Sequence, residues 1–563
     1  MDYLSGRLLK GQPEEVVAIR AALGDHKHDL QGGLWNLLEN PKVDHDERLR
    51  AACALADYDP DNRRWEQVSG NVSAMLIKSN PLVLGKWTEA LRPVKTFLLP
   101  HLAALLEDEK QSVSKLRLIA EVYKSYAHDD ATVFAALEKK LEEVISPDPA
   151  ATAAGQSQSN TAVALLLMER GDKVWPLFKH RSDPTVRSFL IERIGPGGVD
   201  PTVLVARLRQ ETDVSARRAL LLSLGRYDLD GLPLAERQKL LPTILSLYQD
   251  DPDPGIHGAA EWLLRQWQAA DRIKAIDGKL ATGGIHGQRR WYINRQGQAL
   301  MLIQGPVQFD MGIHQDRHKQ NIKRSYLIAS KEVTVEQFQR FRKDHPLLEK
   351  LRTPSNDCPM NSVSWYDAAA YCNWLNEQEG IARDQWCYEP NTQGEYANGM
   401  KLAPDLLRRT GYRLPTQAEW EFACRAGAGP QVGFSFGLPT HGVSLLYPPE
   451  DLIRQYAWYS GNSQFVSHPV GSLKPNDFGL FDMHGNVWEW CQHKYHSFKF
   501  GEVLDDEGVG SPIVFDKERR EIRGGSFHYG PATLRCGHRG YTNEPPSLKS
   551  LDKGFRLART QAP

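Results

Sequence analysis

Cysteine is scarce in this 563-residue chain: Cys53, Cys358, Cys372, Cys387, Cys424, Cys491 and Cys536 are all there are, and no two form a Cys-x-x-Cys pair. So sparse and odd a set excludes a disulfide-stapled scaffold and supplies no zinc-ribbon or dithiol motif; a reduced, cytoplasmic compartment is expected. Charge of one sign is missing as well. The 69 Lys plus Arg stand against 70 Asp plus Glu, net −1, which excludes a wholesale basic surface for nucleic acid and an acidic tail. No window approaches the roughly 20 apolar residues of a bilayer span, and MDYLSGRLLKGQPEEVVAIR at the start holds no apolar export core, so no membrane association is expected.

Up to about residue 270 the chain also lacks alternating β-branched or aromatic runs. What is there reads as amphipathic helices separated by Asp, Pro and Gly. One pattern recurs: an Asp-rich turn, a helix opening with apolar residues and Arg, then small apolar residues. It appears as DERLRAACALADY from Asp46, DPTVRSFLIERIG from Asp183, TDVSARRALLLSLG from Thr212 and DPDPGIHGAAEWLL from Asp251. The Asp caps the helix, and Ala and Leu at three-and-four spacing pack on the neighbouring pair. This is the grammar of stacked HEAT-like helical repeats, with a non-repetitive helical bundle as the alternative. The expected layout is helical repeats over 1–146, an exposed loop at 147–160 (PDPAATAAGQSQSN), further repeats over 161–270, and a Gly-rich linker within 271–288. From 289 to 563 short apolar runs broken by Gly and Pro predict strands and turns.

In that second half, SVSWYDAAAYCNWLN predicts a helix capped by Ser364 that buries Trp365, Ala369, Cys372 and Leu375 on one face. RLPTQAEWEFACRAG predicts another, with Thr416 and Glu419 as a capping box ahead of Trp420 and Cys424. Trp488 and Trp490 alternate like a half-buried strand and read as core. His314 and His318 read as a solvated loop, and Ser526 has no dependable His and Asp partners in motif context. No phosphate-cradling Gly loop or kinase catalytic motif is present.

Four segments in this order, PMNSVSWYDAAAYCNWLNEQEG (359–380), GYRLPTQAEWEFACRAG (411–427), DFGLFDMHGNVWEWC (477–491) and RGGSFHYGPATLRCGHRGYTNEPPSLKSLDKGFRLA (523–558), resemble the formylglycine-generating enzyme or sulfatase-modifying-factor family. The resemblance covers about 290–560 and implies an α+β fold of C-type-lectin type behind the all-α region. It also implies that calcium could sit near the Gly-Asn-x-Trp-Glu-Trp segment, where Asn486 and Glu489 would supply oxygens; alternatively both satisfy backbone groups in a loop-rich core.

The oxidase members of that family hold copper(I) on two cysteines after a Gly-Gly-Ser motif, because soft thiolates suit that ion. Here the motif is Gly524, Gly525, Ser526, and the corresponding positions carry Tyr529 and Leu534. Cys536 lies in an Arg-Cys-x-x-Arg element instead, so the resemblance implies a domain without the oxidase activity. A second branch, similar to ergothioneine-type sulfoxide synthases, uses a His-x-x-x-His-x-Glu iron signature. His314 and His318 have that spacing, but Gln320 replaces the carboxylate. What the resemblance leaves is a ligand-facing cleft formed by Ser526, Phe527, His528, Tyr529, Arg535, His538, Arg539 and Tyr541, with Arg556 of the closing Gly-Phe-Arg read as a buried ion-pair partner. The whole layout also resembles the tails of planctomycete-type Ser/Thr kinases, and the same domain occurs beside caspase-like proteases. The expectation is a non-catalytic recognition protein of bacterial signalling or defence, with a protein or peptide partner such as such a kinase or protease. The rivals are a divergent oxidase that pairs Cys536 with Cys491 or Cys424, and an adaptor acting through the repeats.

Overall fold

The computed structural model describes residues 2–127, 131–143, 151–439, 450–506, 511–540 and 544–562. The chain divides into two compact units. One comprises residues 1–145, 153–177 and 193–200, and the other 146–152, 178–192 and 201–563.

The first unit is all-helical among its described residues. Helix Lys27–Glu39 packs on His45–Tyr58, and Lys95–Glu107 packs on both Trp65–Lys78 and Val113–Ala127. In His45–Tyr58 the Asp44 carboxylate accepts from the Asp46 amide at 2.9 Å, and the run Ala51–Ala56 is wholly buried. Small side chains there let neighbouring helices approach closely. The loop expected at 147–160 is corrected for its described part, because Ala151–Leu167 is a helix. Alanine supplies the propensity, and the polar side chains of Gln158, Ser159, Asn160 and Thr161 are buried rather than solvated. Gln158 donates to the Lys140 and Glu143 carbonyls at 3.1 and 2.7 Å, and Asn160 to the Asp108 carbonyl at 2.8 Å. They satisfy carbonyls at neighbouring helix ends, a role that a small polar stretch of sequence does not announce. Among the described residues no helix is long and apolar enough to cross a membrane.

In the second unit the Asp caps form as expected: Asp213 accepts from the Ala216 amide at 3.0 Å and Asp253 from Ile256 at 2.9 Å. Helix Pro254–Gln266 is buried from Pro254 to Leu264, packed by Val214–Leu224 and Leu234–Asp250. On another side it meets the turn at Asp477–Gly479 so closely that a side chain on Gly258 would lie 2.7 Å from the Gly479 Cα. The expected 271–288 linker is corrected too. Helix Ala270–Leu280 fills its first part, with Ile273 and Ile276 buried, and left-handed glycines begin only at Gly283. Leu222 is 5% exposed in this packing. Leu222→Ala is therefore expected to lower stability by about 2–5 kcal/mol, read by urea unfolding, since a buried leucine loses both transfer energy and cavity contacts.

No strand occurs among the described residues before Trp291. A five-stranded antiparallel sheet then runs Trp291–Ile293, Ala299–Ile303, Tyr326–Ala329, Ala558–Thr560, Tyr412–Arg413 in spatial order. Both faces are covered. Tyr292, Leu300, Leu327 and Ala329 face the core built on helix Trp365–Gln378, while Trp291, Met301, Ile303, Tyr326 and Ile328 face the core built on helix Gln417–Arg425. Strands buried on both sides read as continuous apolar runs, which is why ALMLI and YLIA do not alternate with polar residues. Both capping boxes form. The Ser364 hydroxyl accepts from the Asp367 amide at 3.1 Å, and that of Thr416 from Glu419 at 3.0 Å.

Candidate functional site

The candidate cleft is assembled on Trp488–Lys494 and Arg520–Arg523, paired antiparallel, with Lys553–Gly554 alongside. Trp488 and Trp490 are core residues as expected, but the strand is not half-buried: Glu489, between them, is fully buried as well. A charge is tolerated there because Arg556 donates to both Glu489 oxygens at 2.6 Å and Trp420 to one of them at 2.8 Å. This is the buried pairing expected of Arg556. Asn486 is similarly engaged. Its side-chain oxygen accepts from the His468 amide at 3.0 Å, and its nitrogen donates to Glu332 at 2.8 Å. Asn486 and Glu489 are thus already engaged by protein groups, and a calcium ion drawing on them would have to displace those bonds. Glu332, Asp482 and Glu489 crowd one buried region; burial, then the neighbouring carboxylates, push Glu332 well above the usual range, and burial pushes Asp482 up to about 6.

Past Arg523 the chain turns on Gly524 and Gly525, both with positive φ (98° and 77°). A side chain at Gly525 would meet Leu534 at 2.7 Å, so the turn requires glycine twice over. The turn sorts the cleft residues. Ser526 and Phe527 are buried: the Ser526 hydroxyl donates to Asp552 at 3.2 Å, and the Phe527 amide to the Asn486 carbonyl at 2.7 Å. Arg535 is buried too. Arg539 is ion-paired with Glu521 and lies over the Tyr495 and Phe498 rings at 4.4 and 4.9 Å. His538 is half-buried against Trp488; burial, then Arg523 and Arg535, bring its imidazole down to about 4, so it is neutral at physiological pH. Tyr541 lies outside the described residues. His528 and Tyr529 are left facing solvent, Tyr529 at 40% exposure.

Sequence reasoning missed Phe465. It is 44% exposed, its ring centroid is 5.4 Å from that of His528, and both Gln464 and Phe465 hold left-handed φ angles of 55° and 59°. Consecutive non-glycine residues in that region cost energy and persist where the surroundings over-determine them. Its one signal was an aromatic alone in the polar stretch GNSQFVS. Tyr529 in turn stands edge-on to the buried Trp488 at 5.9 Å. The result is an exposed aromatic surface, Phe465, His528 and Tyr529, backed by a core tryptophan.

The copper positions implied by the oxidases do not fit that metal here. Tyr529 offers a phenol, and Leu534 is a buried aliphatic group. Sulfur lies elsewhere. Cys424, His484 and Cys536 bring their ligand atoms within 4.8 Å of one another, all buried, whereas Cys491 is not part of the group. His484 Nδ1 is 2.7 Å from the Leu534 carbonyl, and burial brings its imidazole down to about 4. Burial, then the neighbouring Cys536, push the Cys424 thiol well up. The expected solvated loop at His314 and His318 is corrected in part. His318 is buried on strand His318–Ile322, stacked on Phe498 at 4.2 Å with its Nδ1 on the Asp316 carbonyl at 2.7 Å, because that strand pairs on both sides.

The chain is 30% identical over 182 residues to the chaperone protein LppX of Paenibacillus barcinonensis, covering 31% of this chain and 63% of that protein. It is 28% identical over 204 residues to the serine/threonine-protein kinase pkn1 of Chlamydia pneumoniae, covering 36% and 24%. To the formylglycine-generating enzyme of Streptomyces coelicolor it is 28% identical over 208 residues, covering 36% and 52%. The chain thus spans less than two thirds of the length of each of these relatives. Residues 293–561 match the family model described as "Sulfatase-modifying factor enzyme 1-like domain", and the C-terminal half of this chain is such a domain.

Proposed function

We propose that the C-terminal domain is a non-catalytic recognition module of a bacterial signalling or defence system, which takes an extended segment of a partner protein on the surface formed by Phe465, His528 and Tyr529. The observation that carries this is the exchange at the turn after Gly-Gly-Ser: an exposed phenol and a buried leucine stand where the oxidases carry thiols. Aromatic anchors with few torsions bury large area at low entropic cost, which suits them to recognition. The similarity to a relative named as a serine/threonine-protein kinase supports a signalling setting.

A divergent oxidase is the second reading, favoured by the proximity of Cys424 and Cys536. Their burial opposes it, since a catalytic metal needs an open position for substrate and both sulfurs are closed off.

The test has two arms. The full chain, treated with copper(I) and incubated aerobically with a cysteine-containing sulfatase-type peptide, is expected to leave the peptide unmodified by mass spectrometry. Formylglycine that vanishes in Cys536→Ser would replace recognition with oxidation. For a partner captured from the native host, Tyr529→Ala and Phe465→Ala are each expected to weaken binding by about 1–3 kcal/mol in calorimetry, with melting unchanged. Unchanged affinity would move the interface to the helical region.

A further inference from the structure

Cys424, His484 and Cys536 come from separate parts of the second unit: the end of helix Gln417–Arg425, the turn before Gly485, and the segment just after the short helix Pro531–Leu534. Nothing local in the sequence brings them together. The fold nevertheless converges a thiol, an imidazole and a second thiol to within 4.8 Å at positions closed to solvent. The imidazole is oriented for ligation. Its Nδ1 lies 2.7 Å from the Leu534 carbonyl, which can only accept, so Nδ1 carries the proton and Nε2 a lone pair. The Ser435 amide, 3.4 Å from Nε2, can only donate, which fixes the same tautomer from the other end of the ring. Nε2 lies 3.9 Å from Cys424 Sγ. A histidine held by a backbone carbonyl through one nitrogen while the other faces sulfur is the usual outer-shell arrangement of a metal ligand. The Ser435 hydroxyl, 2.9 Å from Nε2, donates to that same lone pair, a bond that a cation at the cluster would replace.

We propose that Cys424, His484 and Cys536 bind one thiophilic d10 cation, zinc(II) or copper(I), as a closed structural site that ties helix Gln417–Arg425 to the turns carrying His484 and Cys536. Two thiolates and a neutral imidazole form the donor set that soft and borderline cations prefer. On binding, each thiol gives up its proton to solvent and each sulfur forms a bond to the cation, with no change of oxidation state. Two thiolates neutralise zinc(II); with copper(I) one negative charge remains on the site. The site differs from the oxidase positions at Tyr529 and Leu534 and stands independently of the recognition reading. A cation there would stiffen the turn after Gly-Gly-Ser, because the carbonyl that orients His484 belongs to Leu534, whose side chain packs against Gly525.

The experiment uses the full chain, reduced and stripped of metal without oxygen, then offered zinc(II) or copper(I) in separate arms, with cobalt(II) as a spectroscopic probe. The wild-type chain is expected to retain about one ion, to melt several degrees higher when loaded, and to give thiolate-to-cobalt charge-transfer absorption. Cys424→Ser, Cys536→Ser and His484→Gln are each expected to weaken uptake at least about 100-fold and to remove the melting shift. Cys491→Ser, in the same core but outside the cluster, is expected to keep both. If a serine variant fails to fold, His484→Gln, which leaves both thiols in place, carries the test. The two metal arms decide which ion is held more tightly. The proposal is overturned if the reduced wild-type chain retains neither ion, if uptake persists in the Cys424→Ser, Cys536→Ser double variant, or if the native chain carries a Cys424–Cys536 disulfide and takes up no metal once reduced.

Discussion

Arg556→Met is expected to destabilise the sheet domain by about 3–5 kcal/mol, read as a lowered urea midpoint of the second unit. Arg556 and Glu489 are both fully buried and joined by two hydrogen bonds of 2.6 Å. The remaining donors of the guanidinium go to the carbonyls of Ala329, Ser330 and Phe481 at 3.1, 3.3 and 2.9 Å. One side chain thereby fastens the end of strand Tyr326–Ala329, the 477–491 segment and the strand bearing Trp488. Removing it leaves Glu489 charged in a region that already holds Glu332 and Asp482. The asymmetry matters here: exchanging a buried pair for apolar residues can be neutral, whereas removing one partner strands the other. A double variant, Arg556→Met with Glu489→Leu, is accordingly expected to recover part of the loss, and failure to recover any would show that the carbonyl contacts dominate.

Asp477→Ala is expected to loosen segment 178–192 from the sheet domain within the second unit, at a cost of about 3 kcal/mol. Asp477 accepts from Arg187 at 2.7 and 3.0 Å and lies 2.7 Å from His180 Nδ1, while Arg187 also donates to the Phe178 and Ser215 carbonyls at 2.8 Å. Hydrogen exchange of peptides covering 178–192 is the suitable measurement, because local opening is read there without assuming a single transition for the whole chain. The pH dependence carries a definite sign. Burial works to raise the Asp477 carboxyl, but Arg187, His180 and Arg218 outweigh it and hold it well below the usual carboxylate range. A carboxylate depressed in the folded state contributes stability that is present above its unfolded pKa of roughly 3.9 and lost as pH falls towards its folded value. Protection of segment 178–192 is therefore expected to hold from neutral pH to about 4 and to decline below it. In Asp477→Asn that acid-dependent decline should be smaller, and an unchanged decline would assign the acid sensitivity to other carboxylates.

The parts legible in the sequence were those whose physics is local. Ser364 with Asp367 and Thr416 with Glu419 act across three residues, so their capping was readable without a fold. The Asp caps at Asp213 and Asp253 were legible for the same reason, and the resemblance carried the order of the four motifs. Reading failed where a local pattern has a non-local use. The Ala151–Leu167 helix resembled a loop because Gln158 and Asn160 are polar, and only the neighbouring helix ends they serve explain their burial. Arg187, on a helix read as one more repeat, is spent on Asp477, 290 positions away.

By itself the sequence determined the all-helical first part, the strand-and-turn second part and the domain family of residues 293–561, because periodicity, capping and motif order are properties of neighbouring residues. Tertiary structure alone decided which cleft residues reach solvent. It buried Ser526, Phe527 and Arg535, engaged Arg539 with Glu521, and left His528 and Tyr529 exposed beside Phe465. It also gathered Cys424, His484 and Cys536, which are 60 and 52 residues apart along the chain. Exposure and convergence of this kind depend on how distant segments close over one another, and no window of sequence contains both sides of such a contact.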